Sequence, residues 1–377
     1  MKYAQHGAMS SRASSFLMRS RPRASPFLGA SRRLTTASSL LPRRVALYEV
    51  GARDGLQNEA TSLTTSQKLA FIDRLSRTGV SAVEAAAFVS PERVPQMAGA
   101  SEIMRSLRPA PGVKYSALIP NLKGFEAAVD TGTLDRVCVL TAASETFSER
   151  NVNASIAGST ERALDVAAAA KARGIAVRGY ISCCLGCPFE GEVDPTLVAE
   201  LAKALYEGGC DEVMISDTIG TGTPGSMSKV LAATLQHLPL DSVGVHLHDT
   251  YGQALSNILT ALQHGVYHVD SSAAGLGGCP FAGPGAAGNV ATEDVVYMLN
   301  GMGIETGVDF DQVVEAGEYV CGLLGRSNAS KAAQASIRRR ASPSQPCSPT
   351  PPSGTLSFGA AFGATAASTP RSEEVRA

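Results

Sequence analysis

The feature that most limits this chain is a strand–helix alternation repeating about every 30 residues, the pattern of stacked βα units. Short strand-like runs occur at Val45–Val50, Ala82–Ala86, Lys114–Ile119, Arg136–Thr141, Ala176–Ser182, Glu212–Asp217, Val243–His248 and Tyr267–Ser271. Between them lie amphipathic or Ala-rich stretches, including Ser66–Arg77, Glu161–Arg173, Pro195–Glu207, Ser226–His237 and Gly252–His264. Several of these stop at a glycine, as at Gly79, Gly174, Gly208 and Gly265, where a residue free to adopt positive φ ends a helix. No tight hairpin signal joins neighbouring runs, so the strands are expected to pair in parallel. Eight such units over about 250 residues predict a single (β/α)8 TIM barrel. A doubly wound sheet fits less well, because no Gly-rich phosphate loop follows the first run. Ile304–Leu324 predicts one or two further helices packed outside the barrel.

Charge divides the chain. Residues 1–48 hold Lys2 and eight arginines with no acid before Glu49, while the net charge is −1. Everything after that segment is therefore acidic. An Arg- and Ser-rich, acid-free N-terminus without a continuous apolar core reads as a mitochondrial transit segment over 1–44, and the mitochondrial matrix is the expected location. The catalytic domain is expected over 45–326. From 327 to 377 the sequence turns to Arg338-Arg-Arg340, a Ser/Pro run and an Ala/Gly stretch, a composition that predicts a disordered tail. Eight cysteines scattered through a chain of 377 residues are expected as reduced thiols. Cys184-Leu-Gly-Cys187 lacks the second pair a zinc site would need. No nucleic acid and no membrane is expected as a partner.

In a (β/α)8 barrel the reacting groups sit where strands end at the C-terminal rim. The first run leads into Glu49-Val-Gly-Ala-Arg53-Asp54-Gly-Leu-Gln57, the second carries Glu84 and the sixth ends in Asp217. The seventh ends in His246-Leu-His248, and strand alternation puts both imidazoles on one face. An isolated His-x-His pair is common without a metal, so the rest of the rim has to decide. Asp54, His246, His248 and the amide oxygen of Asn289 would make a mixed oxygen and nitrogen set with open positions. That set suits Mg2+, Mn2+ or another divalent first-row ion and not a structural zinc. Cys279 lies in a run with six glycines and two prolines between Gly275 and Asn289. Such a loop predicts a lid that brings a thiol to the site as proton donor or acceptor.

Three stretches, Glu49–Glu59, His246–Ala254 and Gly275–Ala282, resemble hydroxymethylglutaryl-CoA lyase, and the resemblance runs from about Arg44 to Lys331. It implies a barrel that cleaves 3-hydroxy-3-methylglutaryl-CoA to acetyl-CoA and acetoacetate by a metal-assisted retro-Claisen reaction, in leucine degradation and ketone-body formation. Asp54, His246, His248 and Asn289 then match the family's metal ligands. Arg53 matches its substrate-binding catalytic arginine and Cys279 its loop cysteine, while Glu84 and Asp217 match acidic residues around the site. The base that takes the hydroxyl proton would be His246 or a nearby carboxylate. The partner is an acyl-CoA, and a homodimer is the expected assembly. Ala52 stands where the family pattern has proline, and the loop is one residue longer through Gly283-Pro284-Gly285. The C-terminal stretch replaces the family's short cysteine-bearing end, so no peroxisomal address is expected. The closest alternative is a Claisen-type condensing enzyme or an aldolase on the same metal scaffold. A condensing enzyme of that kind carries a large regulatory domain, for which the tail is too short and too polar.

Overall fold

Strands buried on both faces need hydrogen-bonding neighbours on both edges, and this sheet meets the need by closing on itself. The computed structural model describes residues 41–278 and 287–341. In it β1 (Ala46–Glu49), β2 (Ala82–Ala87), β3 (Lys114–Leu118), β4 (Arg136–Ala142), β5 (Ala176–Ser182), β6 (Glu212–Asp217), β7 (Val243–Leu247) and β8 (His268–Ser271) follow one another around a closed parallel barrel. Closure comes from β1 pairing with β8, Ala46 opposite His268 through Glu49 opposite Ser271. Each strand begins and ends within one residue of the run that predicted it.

Outside the barrel lie α1 (Thr65–Arg77), α2 (Ala100–Ser106), α3 (Leu122–Val129), α4 (Glu145–Val152), α5 (Ile156–Ala172), α6 (Pro195–Glu207), α7 (Pro224–Thr234), α8 (Ala254–Gln263), α9 (Thr292–Gly301), α10 (Phe310–Leu324) and α11 (Lys331–Ala341). None of these helices is long and apolar enough to cross a membrane. Their starts are set by side chains that satisfy the free N–H groups of the first turn. Thr64 and Gln67 form a reciprocal capping box on α1, and Asp194 caps α6, where Pro195 fills the first position. The helix expected from Glu161 starts earlier, at Ile156, because Ser155 accepts from the Gly158 N–H. Residues 304–309 are not helical. Glu305 instead bridges to Arg43 and Val45, and Asp309 N–H donates to the Thr78 carbonyl.

One expectation is corrected. The segment expected to be tail from 327 holds a packed helix, α11. Asp294 on α9 accepts from the Ser330 hydroxyl and from the Lys331 and Ala332 N–H groups. A carboxylate at a helix N-terminus offsets the positive end of its dipole, and Ala333 behind it is fully buried. That long-range cap is invisible in a local reading of an Arg-rich stretch. The transit-type segment, Cys279 with its expected lid, and the Ser/Pro- and Ala/Gly-rich stretch beyond Ala341 lie outside the described residues.

The barrel interior is not the all-aliphatic packing usual for this architecture. Arg178 on β5 is 1% exposed and lies with its guanidinium carbon 3.9 Å from the centroid of the Tyr48 ring. Burying a charge requires partners. Asp270 on β8 lies 2.8 Å from Arg178 Nη2, and Glu212 on β6 lies 3.5 Å from its Nε.

Candidate active site

The backbone leaving β1 does not go straight into a loop. Residues Gly51–Gly55 wind into a single π-helical turn, closed by the Gly55 N–H donating to the Val50 carbonyl at 3.1 Å. Such widened turns recur at functional sites because they redirect side chains. Here the turn carries the adjacent residues Arg53 and Asp54. Arg53 Nη1 meets Asp54 Oδ1 at 2.7 Å, and Nη2 meets Glu84 Oε2, from β2, at 2.6 Å. Glu84 is wholly buried and Arg53 nearly so. Burial by itself pushes the Glu84 carboxyl up, and the neighbouring arginine offsets only part of that push. Burial disfavours the Arg53 charge, but Glu84 and Asp54 outweigh it and hold the guanidinium firmly protonated. Glu84 is thus the brace that fixes the arginine.

The two imidazoles of β7 stand on one face, as strand periodicity requires. His246 Nε2 is 3.8 Å and His248 Nε2 is 3.7 Å from the same atom, Asp54 Oδ2. One ligand atom from each of Asp54, His246 and His248 falls within 4.8 Å of the others. Burial opposes ionisation of Asp54, but Arg53 and then the imidazoles hold its carboxyl well below the usual range. His246 is held from behind, its Nδ1 3.1 Å from Asp270 Oδ2, and Tyr180 stands edge-on to it at 5.5 Å between centroids. Burial lowers the His246 pKa, but Asp270 and Asp54 together raise it by more.

Asn289 reaches this cluster by a short antiparallel bridge to His248, where the Asp249 N–H donates to the Gly288 carbonyl at 3.0 Å. Its Nδ2 donates to Asp54 Oδ2 at 2.8 Å, while its Oδ1 is buried without a hydrogen-bond partner. The approach needs glycine at 277. Its φ is +124°, and a Cβ there would lie 2.6 Å from Asn289 Nδ2. The residue set fits a divalent cation: one low-pKa carboxylate, two same-face imidazoles with inward Nε2 atoms, and an amide oxygen left unpaired in the interior. Unpaired buried acceptors cost energy unless something else meets them.

A cavity of about 130 Å3 opens over this cluster. Its lining includes the polar Arg53, Asp54, His246 and His248 together with Leu118, Leu140, Phe147 and Tyr180. Gly278 also lines it and accepts a hydrogen bond from the Asn58 amide, so Cys279 follows directly on a residue of the rim. Asp217 lies beside His248, whose charge it feels, and is also tied to the backbone. Its carboxylate accepts from Thr221 N–H at 3.1 Å and Gly222 N–H at 2.9 Å and shapes the turn after β6.

The residues not anticipated from the sequence are those behind the ligands. Glu49 accepts from the Gly51 and Ala273 N–H groups and the Thr292 hydroxyl, and burial pushes its carboxyl up to about 7. Glu293, raised by burial to about 8, accepts from the Ala274 N–H. Together they pin the backbone just before the Gly-rich stretch. Arg178 and Asp270 were detectable only as charges in strands otherwise apolar.

Known proteins of similar sequence and fold share one enzyme name. A mitochondrial hydroxymethylglutaryl-CoA lyase of Gallus gallus is 54% identical over 297 residues, 79% of this chain and 99% of that protein. A cytoplasmic 3-hydroxy-3-methylglutaryl-CoA lyase of Mus musculus is 52% identical over 300 residues, 80% of this chain and 87% of that protein. The crystal structure of hydroxymethylglutaryl-CoA lyase from Pseudomonas aeruginosa superposes with a TM-score of 0.77 at 51% identity, covering 80% of this chain and 99% of that one. The model of the HMGL-like family matches residues 44–320, a span that contains all eight strands and every side chain of the cluster, and the chain belongs to that family.

Proposed function

We propose that this chain cleaves 3-hydroxy-3-methylglutaryl-CoA to acetyl-CoA and acetoacetate, with Mg2+ or Mn2+ held by Asp54, His246, His248 and Asn289. The observation that carries the reading is the junction of the Asp54–His246–His248 triad with a braced arginine at one cavity. The relatives bear the name of that reaction. When bound, the ion supplies positive charge that favours ionisation of a tertiary hydroxyl and holds a neighbouring carboxylate.

The chain's own groups account for the remaining steps. The hydroxyl proton leaves to a carboxylate of the cluster and not to His246, whose Nδ1 is committed to Asp270 and whose Nε2 faces Asp54. Of the two carboxylates beside Arg53, Asp54 lines the cavity and is held low by the arginine and the imidazoles, whereas Glu84 is buried behind the arginine and is raised on balance. As the hydroxyl oxygen becomes the acetoacetate ketone, the adjacent carbon–carbon bond breaks and its electron pair passes into the thioester enolate. Arg53, fixed on two sides, stabilises that developing charge without having to reorganise. Cys279 gives a proton to the enolate carbon, which completes acetyl-CoA. The thiolate is reprotonated from solvent as the carboxylate releases the hydroxyl proton to it. No electrons are gained or lost overall.

Leu118, Leu140 and Phe147, which also line the cavity, suit the substrate's methyl group. Incubation of the purified chain with 3-hydroxy-3-methylglutaryl-CoA should yield acetyl-CoA and acetoacetate in equal amounts. In Cys279→Ser the same products should form more slowly with metal affinity unchanged. Failure to form them, or faster condensation of acetyl-CoA with a keto acid, would favour the condensing-enzyme alternative.

A further inference from the structure

A continuous buried path runs from the middle of the barrel to one member of the triad. Arg178 and Asp270 are each 1% exposed. Asp270 Oδ1 lies 2.8 Å from Arg178 Nη2, and Asp270 Oδ2 lies 3.1 Å from His246 Nδ1. Arg178 is itself held between the Tyr48 ring and Glu212, and Glu212 is fixed from the far side by Arg136 Nη1 at 3.0 Å. Residues of five strands thus link up behind His246, with Asp270 the one that meets its Nδ1. The other imidazole has no such support, since His248 Nδ1 is buried without a hydrogen-bond partner.

We infer that Asp270 and Arg178 are positioning residues for His246, a role that rests on the metal assignment made above. A carboxylate accepts only, so Asp270 requires the Nδ1–H tautomer, and that leaves the Nε2 lone pair facing Asp54. Arg178 keeps the carboxylate at that angle. Its Nη2 stands beside Asp270 while its Nε faces Glu212, two directions that a lysine ammonium cannot reproduce. The ring is thereby set before any ion arrives, and His246 becomes the fixed point on which the other ligands close.

The test uses the full-length chain, Mn2+ as probe, and electron paramagnetic resonance to read free ion. Asp270→Asn can offer Nδ1 either an acceptor or a donor, and so permits both tautomers. Its Mn2+ Kd should rise about 10–100-fold, the usual effect of removing a group that orients a ligand. Arg178→Lys should show a smaller rise in the same direction. In the metal-free wild type, at a pH high enough that the His246 ring is neutral, its imidazole 15N shifts should report a single Nδ1-protonated tautomer, and this measurement needs no variant to fold. An averaged or Nε2-protonated ring, or an unchanged Kd in Asp270→Asn, would overturn the positioning role alone. A wild-type chain that binds no Mn2+ would overturn the metal assignment and this role with it.

Discussion

Arg53→Lys is expected to lower kcat about 10²–10³-fold, the range found when a preorganised group facing developing negative charge is lost. The substitution keeps a positive charge, so the loss would be one of geometry. Arg53 satisfies Asp54 and Glu84 through different nitrogens, at 2.7 and 2.6 Å. A compact ammonium at the end of a flexible stem cannot meet both and still face the cavity. KM should change far less than kcat, because the interaction strengthens as the enolate forms. Steady-state kinetics beside a thermal melt separates this from unfolding. A variant with the wild-type kcat would remove Arg53 from the transition state.

The second large effect is expected at Asp54. Asp54→Asn preserves shape and removes the single anion among the three ligands that the structure brings within 4.8 Å. Divalent-ion affinity should fall by more than the roughly 100-fold typical of groups that only orient a ligand. Turnover should fall with it, and high Mn2+ should restore part of the loss. The barrel should stay folded, because Asp54 lies on the rim and Glu84 still pairs with Arg53. Undiminished Mn2+ affinity in the variant would show that the triad is not the ion's site.

Much of this architecture could be read from the residues. The eight strands stand out because each is short, rich in small or β-branched residues and buried on both faces, so its apolar run is nearly unbroken. His246 and His248 could be paired from strand periodicity alone, and the structure brings their Nε2 atoms to one carboxylate oxygen. Asn289, beyond a lengthened loop, also arrives at the cluster, because the bridge to His248 sets its place independently of loop length.

Other features depend on contacts between residues far apart in sequence. The π-helical turn at Gly51–Gly55 has no local signature beyond its glycines. Arg178 and Asp270 lie in strands far apart in sequence, and only barrel closure shows that β5 and β8 turn them toward one another and toward His246 on β7. The cap on α11 comes from Asp294, 36 residues before Ser330. Asp217 is a mixed case. Its position at a strand end was legible, but not the two backbone N–H groups of the following turn that its carboxylate accepts from.

The most direct test of the central claim is a titration of metal-free chain with Mn2+, following bound ion and cleavage of 3-hydroxy-3-methylglutaryl-CoA in the same samples. A single site built from Asp54, His246, His248 and Asn289 predicts that turnover rises in proportion to occupancy and saturates at one ion per chain. Full turnover in excess chelator, or saturation of the ion with no gain in cleavage, would contradict it.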